Sequence, residues 1–130
     1  MEDIRYILLD MINAYRAEHG LPRIHLHIDE SKAVKAHSEH RVDNEQYPMH
    51  SDPAHRREWQ EVVGMAEGSL EARELASVIL HGWLREPRHR EIIMGKHLQH
   101  VGIDIGHRKV GASLDGKTLR RKVFATGRFR

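Results

Sequence analysis

Between Ile4 and His19 the apolar residues Ile4, Ile7, Leu8, Met11, Ile12 and Tyr15 recur at steps of three and four. That is the period of one helix face, and Gly20 followed by Pro22 supplies a stop signal. The next five residues, Ile24 to Ile28, alternate apolar with histidine, which predicts a short extended segment. Asp29 is placed to cap a helix running from Glu30 to about Asn44. From Gln46 to Gly68 the periodicity fades among Pro48, Pro53, Gly64 and Gly68. A long irregular region is expected there, with a short helix around Arg56 to Val63, and loops of that length are usually functional.

Periodicity returns after Ser69, a suitable cap, with Ala72, Leu75, Ala76, Ile79 and Trp83 on one helix face. This helix should end at Glu86, because a proline disfavours helical geometry in the residue before it. Trp83, closing the apolar stripe, is a core residue on this reading. A short helix through Met94 follows, broken by Gly95. The tail holds two strand candidates, Val101 to Ile105 and Lys122 to Thr126, with a turn at Asp115-Gly116. Helices first and strands last make an α+β chain. With no internal repeat, low-complexity tract or linker, residues 1–130 read as one domain.

Composition narrows the chemistry. At 130 residues, 39% hydrophobic and 31% charged, with both signs spread along the chain, neither the disordered nor the membrane class fits. The start, Met-Glu-Asp, carries no basic region before an apolar run, so no export signal is expected, which suggests a cytoplasmic or particle-associated protein unless another route exports it. There is no cysteine, so any metal must be held by His, Asp or Glu. A net charge of +2 is a poor argument for nucleic acid, and no nucleic-acid partner is expected. The twelve histidines are the unusual feature, since imidazole is the side chain whose charge changes near neutral pH.

The run from Leu8 to Pro22, Leu-Leu-Asp-Met-Ile-Asn-Ala-Tyr-Arg-Ala-Glu-His-Gly-Leu-Pro, closely resembles the opening helix of the CAP superfamily (cysteine-rich secretory proteins, antigen 5 and pathogenesis-related 1; the SCP-like domain) in its short bacterial branch. Ordered matches follow at Ala36-His37-Ser38, at Tyr47-Pro48-Met49-His50, from Gly82 to Arg90, and at His100-Val101-Gly102-Ile103. The resemblance implies a three-layer α-β-α sandwich with a cleft where two His and two Glu meet, in a family found mostly outside the cell. By position the cleft histidines are His50 and His89, and the glutamates are Glu61 and Glu86. Around Glu61 the chain reads Gln60-Glu61-Val62-Val63 where the family has Gly-Glu-Asn and an apolar residue, so Glu58 remains the alternative. Arg88 stands where the family has Gly, and a larger side chain there would narrow the cleft.

Two imidazoles suit a divalent metal, zinc above all, while nearby carboxylates orient them or serve as base. The expected function is therefore a metal-binding CAP module with a peptide or lipid in its cleft. Its alternatives are a metal-assisted hydrolase of peptide or cell-envelope material, with Glu61 or Glu86 as catalytic base, and a structural part of a larger assembly such as a phage particle. The plainer reading has Glu86 capping the helix after it and His89 merely in the first turn. His50-Ser51-Asp52 holds triad residue types, but consecutive residues cannot face one another. The pairs His37/His40 and, if helical, His97/His100 are one turn apart and read as solvated or packing residues. Arg120, Arg121, Lys122, Arg128 and Arg130 read as a solvated strand edge guarded by charge.

Overall fold

A computed structural model describes residues 3–43, 59–68, 71–112 and 119–130. In chain order the elements are α1 (Ile4–Glu18), β1 (His25–Leu26), α2 (Ile28–Asp43), β2 (Gln60–Gly68), α3 (Ala72–Arg85), α4 (Pro87–Ile93), β3 (His100–Ala112) and β4 (Leu119–Phe129). The four strands form one mixed sheet in the order β1-β3-β4-β2, in which β1 runs parallel to β3 and the other neighbours are antiparallel. The chain is α+β, as expected.

Helix α1 follows its apolar stripe. Asp3 caps it by accepting the Arg5 N–H at 3.0 Å, and Ile4, Leu8, Leu9 and Ile12 are buried. Gly20 ends it with φ +71°, a left-handed conformation that glycine adopts without strain. Asn13 extends the helix's grip: its side-chain amide donates to the Ile24 carbonyl at 3.0 Å and accepts the Ile24 N–H at 2.9 Å. The side chain thus pairs with the chain just before β1 as a neighbouring strand would.

The sheet presents two different faces. Val62 and Ala66 on β2, Val101 and Ile103 on β3, and Val123, Ala125 and Phe129 on β4 join one core with α1 and α3. Trp83, 1% exposed, lies in that core. A Cβ on Gly64 would stand 2.6 Å from Trp83 Nε1, so only glycine lets the indole lie on β2. The opposite face is covered by α2, which packs on β3 and β4. Close approach needs Gly102, because a Cβ there would be 2.9 Å from the Glu30 backbone carbon.

Polar bonds fasten this second layer. Ser31 Oγ donates to the His27 carbonyl at 2.8 Å and accepts the Ile103 N–H at 3.1 Å. Arg128 donates from Nη1 to Glu30 Oε1 at 2.8 Å and from Nε to Glu61 Oε2 at 2.9 Å. One guanidinium therefore joins α2, β2 and β4. Glu61 and Arg128 are register partners on adjacent strands and are each 2% exposed. At such burial the pairing offsets the loss of hydration of both charges.

Several expectations need correction. The irregular region with a helix around Arg56 to Val63 does not hold from Gln60 onward, where β2 runs to Gly68. Glu61, Val62 and Val63 are buried in succession because both faces of the strand are covered, and this erases the alternation that marks a half-buried strand. Asp29 is not a cap but lies in the first turn of α2. Helix α3 starts at Ala72 with Glu71 as its N-cap, beyond Ser69, which lies outside the described residues. Arg128 is not part of a solvated edge: β4 is an interior strand, between β3 and β2. His97 and His100 do not share a helix, since His97 sits in a turn and His100 opens β3. The Asp115-Gly116 turn lies outside the described residues.

Two substitutions test these contacts. Trp83→Ala should lower stability by about 3 to 5 kcal/mol in denaturant unfolding, the usual cost of deleting a buried indole. Arg128→Ala should cost about 3 to 5 kcal/mol, because it strands two carboxylates in a buried layer. An unchanged unfolding midpoint in either variant would contradict the packing described.

Candidate functional site

Where α3 gives way to α4 the chain reads Arg85-Glu86-Pro87-Arg88-His89. Pro87 takes the first helical position of α4, where its missing N–H costs nothing, and forces Glu86 into extended geometry (φ −93°, ψ 119°). Glu86 occupies the N-cap position, yet its carboxylate makes no capping hydrogen bond. Instead, Oε2 lies 3.2 Å from His89 Nδ1. The plainer reading of Glu86 as a cap is thus right about position and wrong about bonding. The His89 side chain is 11% exposed and that of Glu86 57%, so the pair spans the boundary between interior and solvent.

His89 opens onto a cleft between α4 with its following turn and the start of β2. Trp59, Glu61, Arg88, His97 and Leu98 also line it. Two of the four expected cleft residues, Glu61 and His89, therefore line the same cleft, and Glu86 joins them through His89. Arg88 is among the lining residues. His50 and the alternative Glu58 lie outside the described residues, as do Ser51 and Asp52. Among the described residues no three His, Asp or Glu side chains are grouped closely enough to hold a metal ion. The described part of the site thus supplies at most a partial donor set. Among the same residues, no helix is long and apolar enough to cross a membrane.

Charge at the cleft floor is set by the Arg128 bridge. Glu61 faces the cleft while its Oε2 accepts from Arg128, so its carboxylate is fixed in place. Reading residues singly missed Arg128 and Glu30. The signal that finds Arg128 is its register opposite Glu61, which appears only once Gln60–Gly68 is taken as a strand. Trp59, just before β2, carries the Arg130 guanidinium 4.4 Å from its ring centroid and the His27 ring at 5.3 Å. It is a buried packing residue with a cation on one side.

Comparison with known proteins agrees with this architecture. No curated protein matches the chain in sequence. Solved structures that share its fold include three matched over 98% of this chain. The chain superposes on an outer surface protein of Borrelia burgdorferi with a TM-score of 0.62 at 15% identity, covering 92% of that protein. With NaASP2, solved with Zn2+, the TM-score is 0.66 at 13% identity and 80% coverage. The third is an extracellular SCP-domain protein from Bacillus anthracis str. Ames, with a TM-score of 0.60 at 19% identity, of which this chain spans 40%. Residues 9–114 match the family described as CAP: Cysteine-rich secretory protein family, and the chain belongs to that family.

Proposed function

We propose that the cleft beside α4 binds a divalent cation, zinc in the first instance, and that the protein acts as a metal-dependent binding or effector module. The observation that carries this reading is the contact between Glu86 Oε2 and His89 Nδ1 at the cleft wall. Metal-ligating histidines commonly have one ring nitrogen held by a carboxylate, which fixes the ring and raises its basicity. His89 is the described ligand on this reading, His50 the second, and Glu86 the residue that orients His89. The Zn2+ in the NaASP2 structure supports the choice of metal, since that protein shares the fold. Glu61 is assigned a positioning part, because its carboxylate is bonded to Arg128.

The exposure of Glu86 favours a second reading. A carboxylate at the solvent boundary, next to a metal-ligating histidine, is placed to take a proton from water in a metal-assisted hydrolase. Peptide or lipid is the expected occupant under either reading. The two separate on turnover: a binding module retains its ligand unchanged, and a hydrolase releases product.

Calorimetric titration with zinc tests the metal. His50→Ala and His89→Ala should each abolish high-affinity binding, whereas Glu86→Gln should weaken it by about 10- to 100-fold. Affinity in the wild type should fall as pH drops through the range where imidazole titrates, because protons compete for the same nitrogens. Equal stoichiometry and affinity in wild type and the His50→Ala/His89→Ala double variant would place the metal on other histidines and refute the assignment.

A further inference from the structure

A second groove adjoins the cleft on the far side of the turn after α4, and it carries a different chemistry. It is lined by Pro22, Arg23 and His25 from the chain around β1 and by Lys96, His97 and His100 from the turn after α4 and the start of β3. Among the described residues that line it none is acidic, and five of them carry cationic or protonatable side chains. On a surface where both signs are otherwise interspersed, such a cluster costs repulsion and is relieved by an anion.

The groove is held in shape by its backbone. His25 and His100 are register partners on the parallel strands β1 and β3, and the His25 N–H donates to the Gln99 carbonyl at 2.9 Å. The N–H groups of Gln99 and His100 both donate to the Arg130 carbonyl, at 2.9 and 2.8 Å. The two stretches of chain are tied to one buried group: Arg16 donates from Nε to the Pro22 carbonyl at 3.0 Å and from Nη1 to the Gly95 carbonyl at 2.9 Å. Arg23 and Lys96 each follow one of those anchored carbonyls, so the core fixes the backbone positions from which the two cations reach the groove.

The His27 ring stands beside that of His100, with centroids 5.6 Å apart, and its Nδ1 accepts the Glu30 N–H at 3.1 Å. The Arg130 guanidinium is turned onto the Trp59 ring.

We propose that this groove is a binding site for a tetrahedral oxyanion, the phosphoryl group of a phosphate ester. Arg23 and Lys96 supply fixed positive charge, and the three imidazoles add charge-assisted hydrogen bonds once protonated. The site is independent of the metal proposed for the adjoining cleft.

Inorganic sulfate is the suitable probe, because it stays doubly charged across the imidazole range. Titrated into the whole chain at constant ionic strength and followed by histidine side-chain NMR, it should shift the resonances of His25, His97 and His100 saturably. Affinity should be about tenfold tighter at about pH 5.5 than at about pH 7.5. R23Q/K96Q should abolish saturation while leaving the thermal midpoint unchanged, since both side chains are exposed. H89A should bind sulfate like wild type, and R23Q should bind zinc like wild type, so failure of the metal and failure of the groove are distinguishable. Sedimentation with phosphatidylcholine vesicles containing phosphatidic acid, against phosphatidylcholine alone, separates the sources. Capture that R23Q/K96Q abolishes identifies a lipid headgroup, and sulfate saturation without capture identifies a soluble ester. Equal sulfate affinity in R23Q/K96Q and wild type, or the absence of saturable shifts at both pH values, overturns the proposal.

Discussion

The buried guanidinium of Arg16 is the constraint on which both grooves depend. Its residue is fully buried, yet the partners it is given are backbone carbonyls: Pro22 after α1, and Ile93 and Gly95 at the end of α4. Burial pushes this guanidinium below its ordinary value, the effect expected of a charge removed from water. Carbonyls at a helix C-terminus are the negative end of the helix dipole, so a cation there is stabilised. The bond from Arg16 to Ile93 spans 77 residues of sequence. It fixes the end of α4, and with it the helix that carries His89.

The sheet then divides the labour between its faces. One face is apolar and packs against α1 and α3, where Trp83 on Gly64 sets how closely β2 can approach. The other is fastened to α2 by directional bonds through Ser31, Glu30, Glu61 and Arg128. Hydrophobic burial is non-directional and would let α2 slide on β3 and β4, whereas charge pairs and a hydroxyl bond hold one register. Glu61 thereby serves the fold and also lines the cleft. A carboxylate fixed at both tasks is better suited to holding a shape and a local charge than to exchanging protons.

Legibility followed periodicity and failed with it. Helices α1 and α3 were readable because each has an apolar stripe closed by a glycine or proline, α4 because Pro87 and Gly95 bracket it, and the centres of β3 and β4 because their apolar runs are short and rich in branched residues. Strand β2 was missed because Gly64 interrupts it and three consecutive buried residues hide its period. That one omission explains the misreading of Arg128, which is a buried partner only if a strand bearing Glu61 lies beside it. Asp29 misled as a cap because helix α2 takes up Ile28, whose side chain is 64% exposed and contributes nothing to a stripe. The ordered family matches pointed to Glu61 and His89, which line one cleft. The position of Glu86 could be read locally from Pro87, but its bond to His89 could not, because capping and histidine contact use the same carboxylate at the same spacing.

The turn after α4 links the two grooves. Lys96, His97 and Leu98 line both, on either side of a segment that Arg16 anchors at Gly95. Gly95 is suited to that place, because a Cβ there would come within 3.1 Å of Leu98 Cγ and 3.3 Å of the Ile92 carbonyl. A tight, core-anchored turn has little room to yield, so it gives each groove a fixed wall. Of the histidines at these grooves, His89 sits beside a carboxylate at the first, His100 lines the second and His97 lines both, so the turn that Arg16 anchors decides which groove each imidazole can reach.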